Sequence, residues 1–75
     1  MADVLVDCKG LNCPLPILHA KKALKGLEDG QTAEVLATDP AAQKDFEAFC
    51  RTTGNELVSH SQEGNVLSFI IKKVS

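Results

Sequence analysis

Apolar residues recur along this chain with two different periods, and the switches between them lay out its elements. Val4, Val6 and Cys8 alternate with Asp3, Leu5 and Asp7, a period of two that predicts a first strand. Gly10 and Asn12 interrupt it. A helix is then expected from about Pro14 to Leu27, with Ile17, Ala20, Leu24 and Leu27 on one face at spacings of three and four. Asp29-Gly30 closes that unit, and Ala33 to Thr38 reads as a second strand. Asp39-Pro40 predicts a second helix, with Asp39 as N-cap and Pro40 at the first helical position. Ala42, Phe46, Phe49, Cys50 and Thr53 share its inner face, and Gly54 is suited to stop it in the left-handed conformation. Glu56 to Ser61 and Val66 to Lys73 read as two further strands joined by the turn Glu63-Gly64-Asn65.

The order β-α-β-α-β-β predicts an α/β (α+β) two-layer sandwich. Each helix links strands expected to run parallel, and the last two strands form an antiparallel hairpin, so the four-stranded sheet is mixed. Two right-handed crossovers in the same direction place both helices on one face. On the last strand Leu67, Phe69 and Ile71 point one way and Val66 and Ile70 the other. The uncovered face therefore carries some apolar surface, read as that of a partly exposed strand, with a partner interface as the alternative. Residues 1–75 are expected to form one domain, with no internal repeat or low-complexity segment.

Composition narrows the function. A chain of 75 residues buries only about 60% of its unfolded surface, which suits a carrier or adaptor better than an enzyme that encloses its substrate. The formal net charge is −2, with no Trp or Tyr, and the pI is about 5.5. Direct nucleic-acid binding, which draws on a basic excess, is not expected. No apolar run reaches the roughly 20 residues of a membrane span and no secretory signal precedes the first strand, so a cytoplasmic protein is expected. In that compartment the three cysteines are expected to be reduced.

The candidate chemistry lies in Gly10-Leu11-Asn12-Cys13-Pro14-Leu15-Pro16. Cys13 stands at the mouth of the first helix, where unpaired N–H groups and the positive end of the dipole favour thiolate over thiol. Two registers fit. In one, Cys13 is the N-cap, Pro14 the first helical residue and Pro16 the third; in the other, Leu15 is the N-cap and Pro16 the first helical residue. The prolines lack an N–H, so Leu15 is the only amide donor among the three residues after Cys13. The segment's stiffness keeps the entropic cost of docking low. The plainer reading makes Cys13 a small apolar filler at an ordinary helix start; the wider strand–glycine–Cys-Pro-x-Pro–helix context favours the chemical one.

Asp7, Gly10-Leu11 and Cys13-Pro14-Leu15-Pro16, followed by Thr38-Asp39-Pro40, Asp45, Phe49-Cys50, Gly54, Glu56-Leu57 and Lys73, resemble the TusA/SirA-like sulfur-carrier family over essentially the whole chain. The resemblance implies the same two-layer fold. It also implies that Cys13 carries a persulfide, loaded by a cysteine desulfurase or a rhodanese-type donor and unloaded by a cysteine of an acceptor protein. In such proteins the sulfur passes to tRNA thiolation, molybdenum cofactor synthesis or sulfur oxidation, no cofactor is required, and the carrier commonly works as a monomer. Gly10, Leu11, Asn12, Pro14, Leu15 and Pro16 would shape the site.

The remaining candidates are read more plainly. Cys8 departs from the family pattern, in which its position is often a small residue. It is read as a buried small hydrophobe, with a resolving thiol for Cys13 as the alternative, and Cys50 as core. Cys8, Cys13, His19 and His60 lack paired ligand spacing, so no metal site is expected. His19, Lys21, Lys22 and Lys25 form a solvated helix face that can also meet an acidic partner. Two other functions compete with the carrier: a thiol–disulfide module using Cys8 and Cys13, and an RNA-binding regulatory module.

Overall fold

The structure, a computed structural model, describes residues 3–11 and 15–74. Its elements are β1 (Val4–Cys8), α1 (Leu15–Lys25), β2 (Thr32–Ala37), α2 (Ala42–Thr53), β3 (Glu56–Glu63) and β4 (Val66–Lys72). The sheet order is β1-β2-β4-β3. β1 and β2 are parallel, β4 is antiparallel to both of its neighbours, and the sheet is therefore mixed, as expected. Helix α1 packs over β1 and β2, α2 over β3 and β4, and the helices touch each other.

Period-two alternation sorts the strand residues between the two faces. Cys8, Ala33, Val35, Ala37, Leu67, Phe69 and Ile71 are buried beneath the helices. Helix α1 contributes Pro16, Ala20 and Leu24 to this core, and α2 contributes Ala42, Phe46 and Cys50. Phe46 and Phe69 are its centre, with ring centroids 4.9 Å apart. The opposite sheet face is open: Leu5 is 63% exposed, and Leu36, Val66 and Ile70 are half-buried.

Several element boundaries differ from the sequence expectations. Helix α2 begins at Ala42, and Ala41 occupies the N-cap position without a side-chain cap. Asp39-Pro40 instead forms a turn. The Asp39 carbonyl accepts the Ala42 N–H at 2.9 Å, and its carboxylate accepts the Ala41 N–H at 3.0 Å. Asp followed by Pro also suits the first two positions of a type I turn, and the helix starts two residues later than expected. Helix α1 ends at Lys25, not Leu27, because the Gly26 and Leu27 amides bond to carbonyls only three residues back. Strand β2 is shifted one residue early, to Thr32–Ala37, and β4 ends at Lys72. Strand β3 runs on to Glu63 and is irregular between Leu57 and Ser59. The hairpin loop is Gly64-Asn65 alone, with positive φ at Gly64 and not at Asn65, the sign pattern of a type II′ turn.

Candidate functional site

The chain leaves the C-terminal end of β1 toward the Cys-Pro-x-Pro motif through a tight, well-bonded turn. Leu11 N–H donates to the Cys8 carbonyl at 3.2 Å. Gly10 sits at φ +83°, the left-handed value that the third position of a type II turn demands, so a side chain here is strained although the space is open. Lys9 N–H donates to the Asp7 carboxylate at 3.1 Å. Gly10 N–H donates to the Thr38 hydroxyl at 2.9 Å, which ties this turn to the residue that follows β2. Asn12, Cys13 and Pro14, three of the predicted site residues, lie outside the described residues. The chain is described again from Leu15, the first residue of α1.

Leu15 is thus helical itself, which contradicts the register that made it the N-cap; the other register turns on Cys13 and Pro14. The first turn of α1 has no acidic residue, so no carboxylate on this helix offsets its positive end. Lys22 and Lys25 occupy its last turn. His19, Lys21, Lys22 and Lys25 are all exposed, and α1 carries no acid anywhere along its length.

Two leucines give this basic helix an apolar edge. Leu15 is 44% exposed and Leu18 54% exposed; with His19 and Lys22 they line a shallow depression on α1. Leu18 also borders a groove of about 400 Å³ between the helices, together with Ile17, Lys21, Ala48 and Phe49. Sequence reasoning singled out the basic residues and missed Leu18. Its signal was present: Leu18 lies about 100° around the helix from Ile17, away from the Ala20–Leu24 face. An apolar anchor beside cations can receive a protein partner whose rim is acidic.

The other two cysteines are poor nucleophiles. Cys8 is fully buried, with its Sγ 4.0 Å from the Pro16 carbonyl oxygen under the first turn of α1. Burial pushes its thiol pKa up, and the neighbouring Asp7 carboxylate adds to the rise. Cys50 is 5% exposed in the core, and burial raises its thiol pKa too. Both are free thiols. Cys8 therefore takes the buried-hydrophobe role expected of it. Among the described residues no cluster of three or more His, Cys, Asp or Glu is arranged to hold a metal ion, and no helix is long and apolar enough to cross a membrane.

Comparison with known proteins agrees with this layout. A SirA-like protein from Desulfitobacterium hafniense, known from its crystal structure, matches with a TM-score of 0.83, 24% identity, and coverage of 96% of this chain and 99% of that one. That likeness establishes the fold. The sulfur carrier protein TusA of Allochromatium vinosum is 54% identical over 71 residues, 95% of this chain and 93% of its own. A relative from Neisseria meningitidis serogroup A is 49% identical over 72 residues, 96% of this chain and 97% of its own. Residues 4–73 match the family described as sulfurtransferase TusA. The chain belongs to the TusA sulfurtransferase family.

Proposed function

We propose that this protein is a sulfur carrier whose Cys13 holds sulfane sulfur as a persulfide. The observation that carries this reading is the 54% identity, over 95% of the chain, to a protein named as a sulfur carrier. The cysteine chemistry supports it. Two of the three thiols are buried and raised in pKa, which leaves the Cys-Pro-x-Pro cysteine as the candidate for exchange with a partner. The chain acts as one sulfur-carrier domain, a cytoplasmic monomer that needs no cofactor.

The relay is two thiol exchanges. Cys13 thiolate attacks the outer sulfur of a persulfide on a cysteine desulfurase or rhodanese-type donor. The new bond joins Cys13 Sγ to that sulfur, and the donor cysteine leaves as thiolate. An acceptor cysteine's thiolate then attacks the outer sulfur, and Cys13 leaves in its turn. Sulfane sulfur moves without net oxidation. A low Cys13 pKa improves it as leaving group but weakens it as nucleophile, so a moderate depression serves both halves best. The downstream product is thiolated tRNA, molybdenum cofactor or oxidised sulfur, depending on the acceptor. Leu15 and Leu18, ringed by His19, Lys21, Lys22 and Lys25, supply the docking surface for an acidic partner.

The thiol–disulfide alternative requires Cys8 to ionise and reach Cys13. Its burial and raised pKa disfavour that. RNA binding is disfavoured by the net charge of −2 and the lack of Tyr and Trp. The test is intact-protein mass spectrometry after incubation with a cysteine desulfurase and cysteine. Wild type and Cys8→Ser should gain one reducible sulfur and Cys13→Ser none. No gain in wild type from this donor or from a rhodanese with thiosulfate would overturn the carrier reading. A two-hydrogen loss requiring both cysteines would put the disulfide module in its place.

A further inference from the structure

A second feature, distinct from the sulfur segment, lies at the other end of α1. Lys21 and Lys25 are one helical turn apart on the same side of α1. Lys73 reaches the same place from the chain just after β4, and its ammonium donates to the Leu27 carbonyl at 2.7 Å. The three lysines line one recess of about 270 Å³ whose walls include Leu24, Phe49 and Asn55 and no acidic residue. Among the described residues none of the three is paired with a carboxylate.

The carbonyls at the C-terminal end of α1 account for one cation, and Leu27 uses one of the three Lys73 donors. They do not account for three lysines lining one recess with Leu24 and Phe49, where like charges repel. Asn55 adds an amide: its Nδ2 donates to the Thr53 hydroxyl at 3.1 Å, which leaves a second N–H. Its Oδ1 is occupied by the Val74 N–H at 3.1 Å, which fixes the amide's orientation. The recess thus offers donors from α1, from the loop after α2 and from the C-terminal end of the chain.

We propose that this recess binds a small, doubly charged oxyanion of the sulfate, thiosulfate and phosphate class. A tetrahedral anion presents acceptors in several directions at once and so matches donors arriving from three elements; a planar carboxylate matches fewer of them. The volume holds such an ion with part of its hydration, since a water's share of liquid is about 30 Å³. Lys21 also borders the groove between the helices. An occupied recess therefore withdraws one cation from the surface proposed to meet an acidic partner. The anion site itself does not depend on the sulfur-relay reading.

The experiment is a titration of the ¹⁵N-labelled full chain with sodium sulfate, thiosulfate or phosphate against sodium chloride at matched ionic strength, followed by NMR. Sulfate should give saturable shifts confined to residues 21–25, Asn55 and Lys73, with half-saturation on the order of 1–10 mM. Lys25→Gln and Lys73→Gln should each weaken binding about tenfold, the loss of one charge-assisted hydrogen bond. Lys25→Gln keeps the Lys73–Leu27 bond, so its result is independent of any loss of stability in the other variant. Lys44→Gln, which changes net charge equally on α2, should bind as wild type does. Shifts that do not saturate, or that spread equally to Lys9 and Lys44, would mean an adventitious ion only and overturn the proposal. Acetate binding as tightly as sulfate would overturn the oxyanion class.

Discussion

Helices α1 and α2 have nearly the same length, 11 and 12 residues, and the same place in the fold, each packed on two strands of one sheet. Their surfaces are built differently. Helix α2 buries Ala42, Phe46 and Cys50 at four-residue intervals, and Phe46 packs on both Phe69 and Phe49. Its charges are mixed, and Gly54, at φ +81°, returns its N–H to the Cys50 carbonyl at its end. Helix α1 buries Pro16, Ala20 and Leu24 with no aromatic ring among them, leaves Leu15 and Leu18 in solvent, and carries no acid. One helix spends its apolar residues on the core. The other keeps some of them outside, among cations, which forgoes packing against the core.

Substitutions on the two helices should separate stability from exchange. The largest stability effect is expected at Phe46, which is fully buried: Phe46→Ala should cost about 3–5 kcal/mol in urea unfolding. A loss under 1 kcal/mol would mean that α2 is not the anchor. On α1, Leu18→Glu places an acid on an exposed position within the basic face. Folding stability should change by less than about 0.5 kcal/mol, while sulfur uptake from an acidic-surfaced donor should slow by about tenfold through docking. Equal losses in uptake and stability would erase the contrast between the helices. Gly54→Ala should cost about 1 kcal/mol, because an alanine is forced into the left-handed region. A smaller loss would show that the end of α2 relaxes.

The smallest effect is expected in alkali. Burial holds the Cys8 and Cys50 thiols above their ordinary pKa of 9.0. Below the unfolded value both thiols are neutral in either state and their contribution is fully present. As pH rises past it, the unfolded chain loses its thiol protons first and stability falls until the folded thiols ionise as well. Thermal unfolding between about pH 8 and 11 should show this decline, and Cys50→Ala should flatten it. An unchanged slope would place that thiol in contact with water.

The fold was legible because alternation and helical spacing agree with one another from β1 to β4. The errors arose where one local pattern served two geometries or where pairing outranked side-chain character. Asp39-Pro40 suits both a helix start and a type I turn, and only the observed bonds to Ala41 and Ala42 decide between them. Gln62 and Glu63 have no strand signature; they are extended because Leu67 and Val66 of β4 pair with them. For the site, the Cys-Pro-x-Pro motif and the lysines are local patterns, and of these the structure describes the lysines of α1, which are exposed as expected. The Thr38 hydroxyl under Gly10 spans 28 residues of sequence and the Lys73–Leu27 bond 46; neither is written in any local pattern.

The most direct test of the central claim locates the sulfur by residue. Trypsin separates the three cysteines, because Lys9, Lys21, Lys44 and Arg51 bracket them. The protein would be loaded by a cysteine desulfurase, capped with an alkylating reagent, digested and mapped by mass. The account predicts the extra sulfur on the Cys13 peptide alone, with Cys8 and Cys50 capped only after unfolding. Sulfur on the Cys8 or Cys50 peptide, or a disulfide joining the Cys8 and Cys13 peptides in its place, would contradict it.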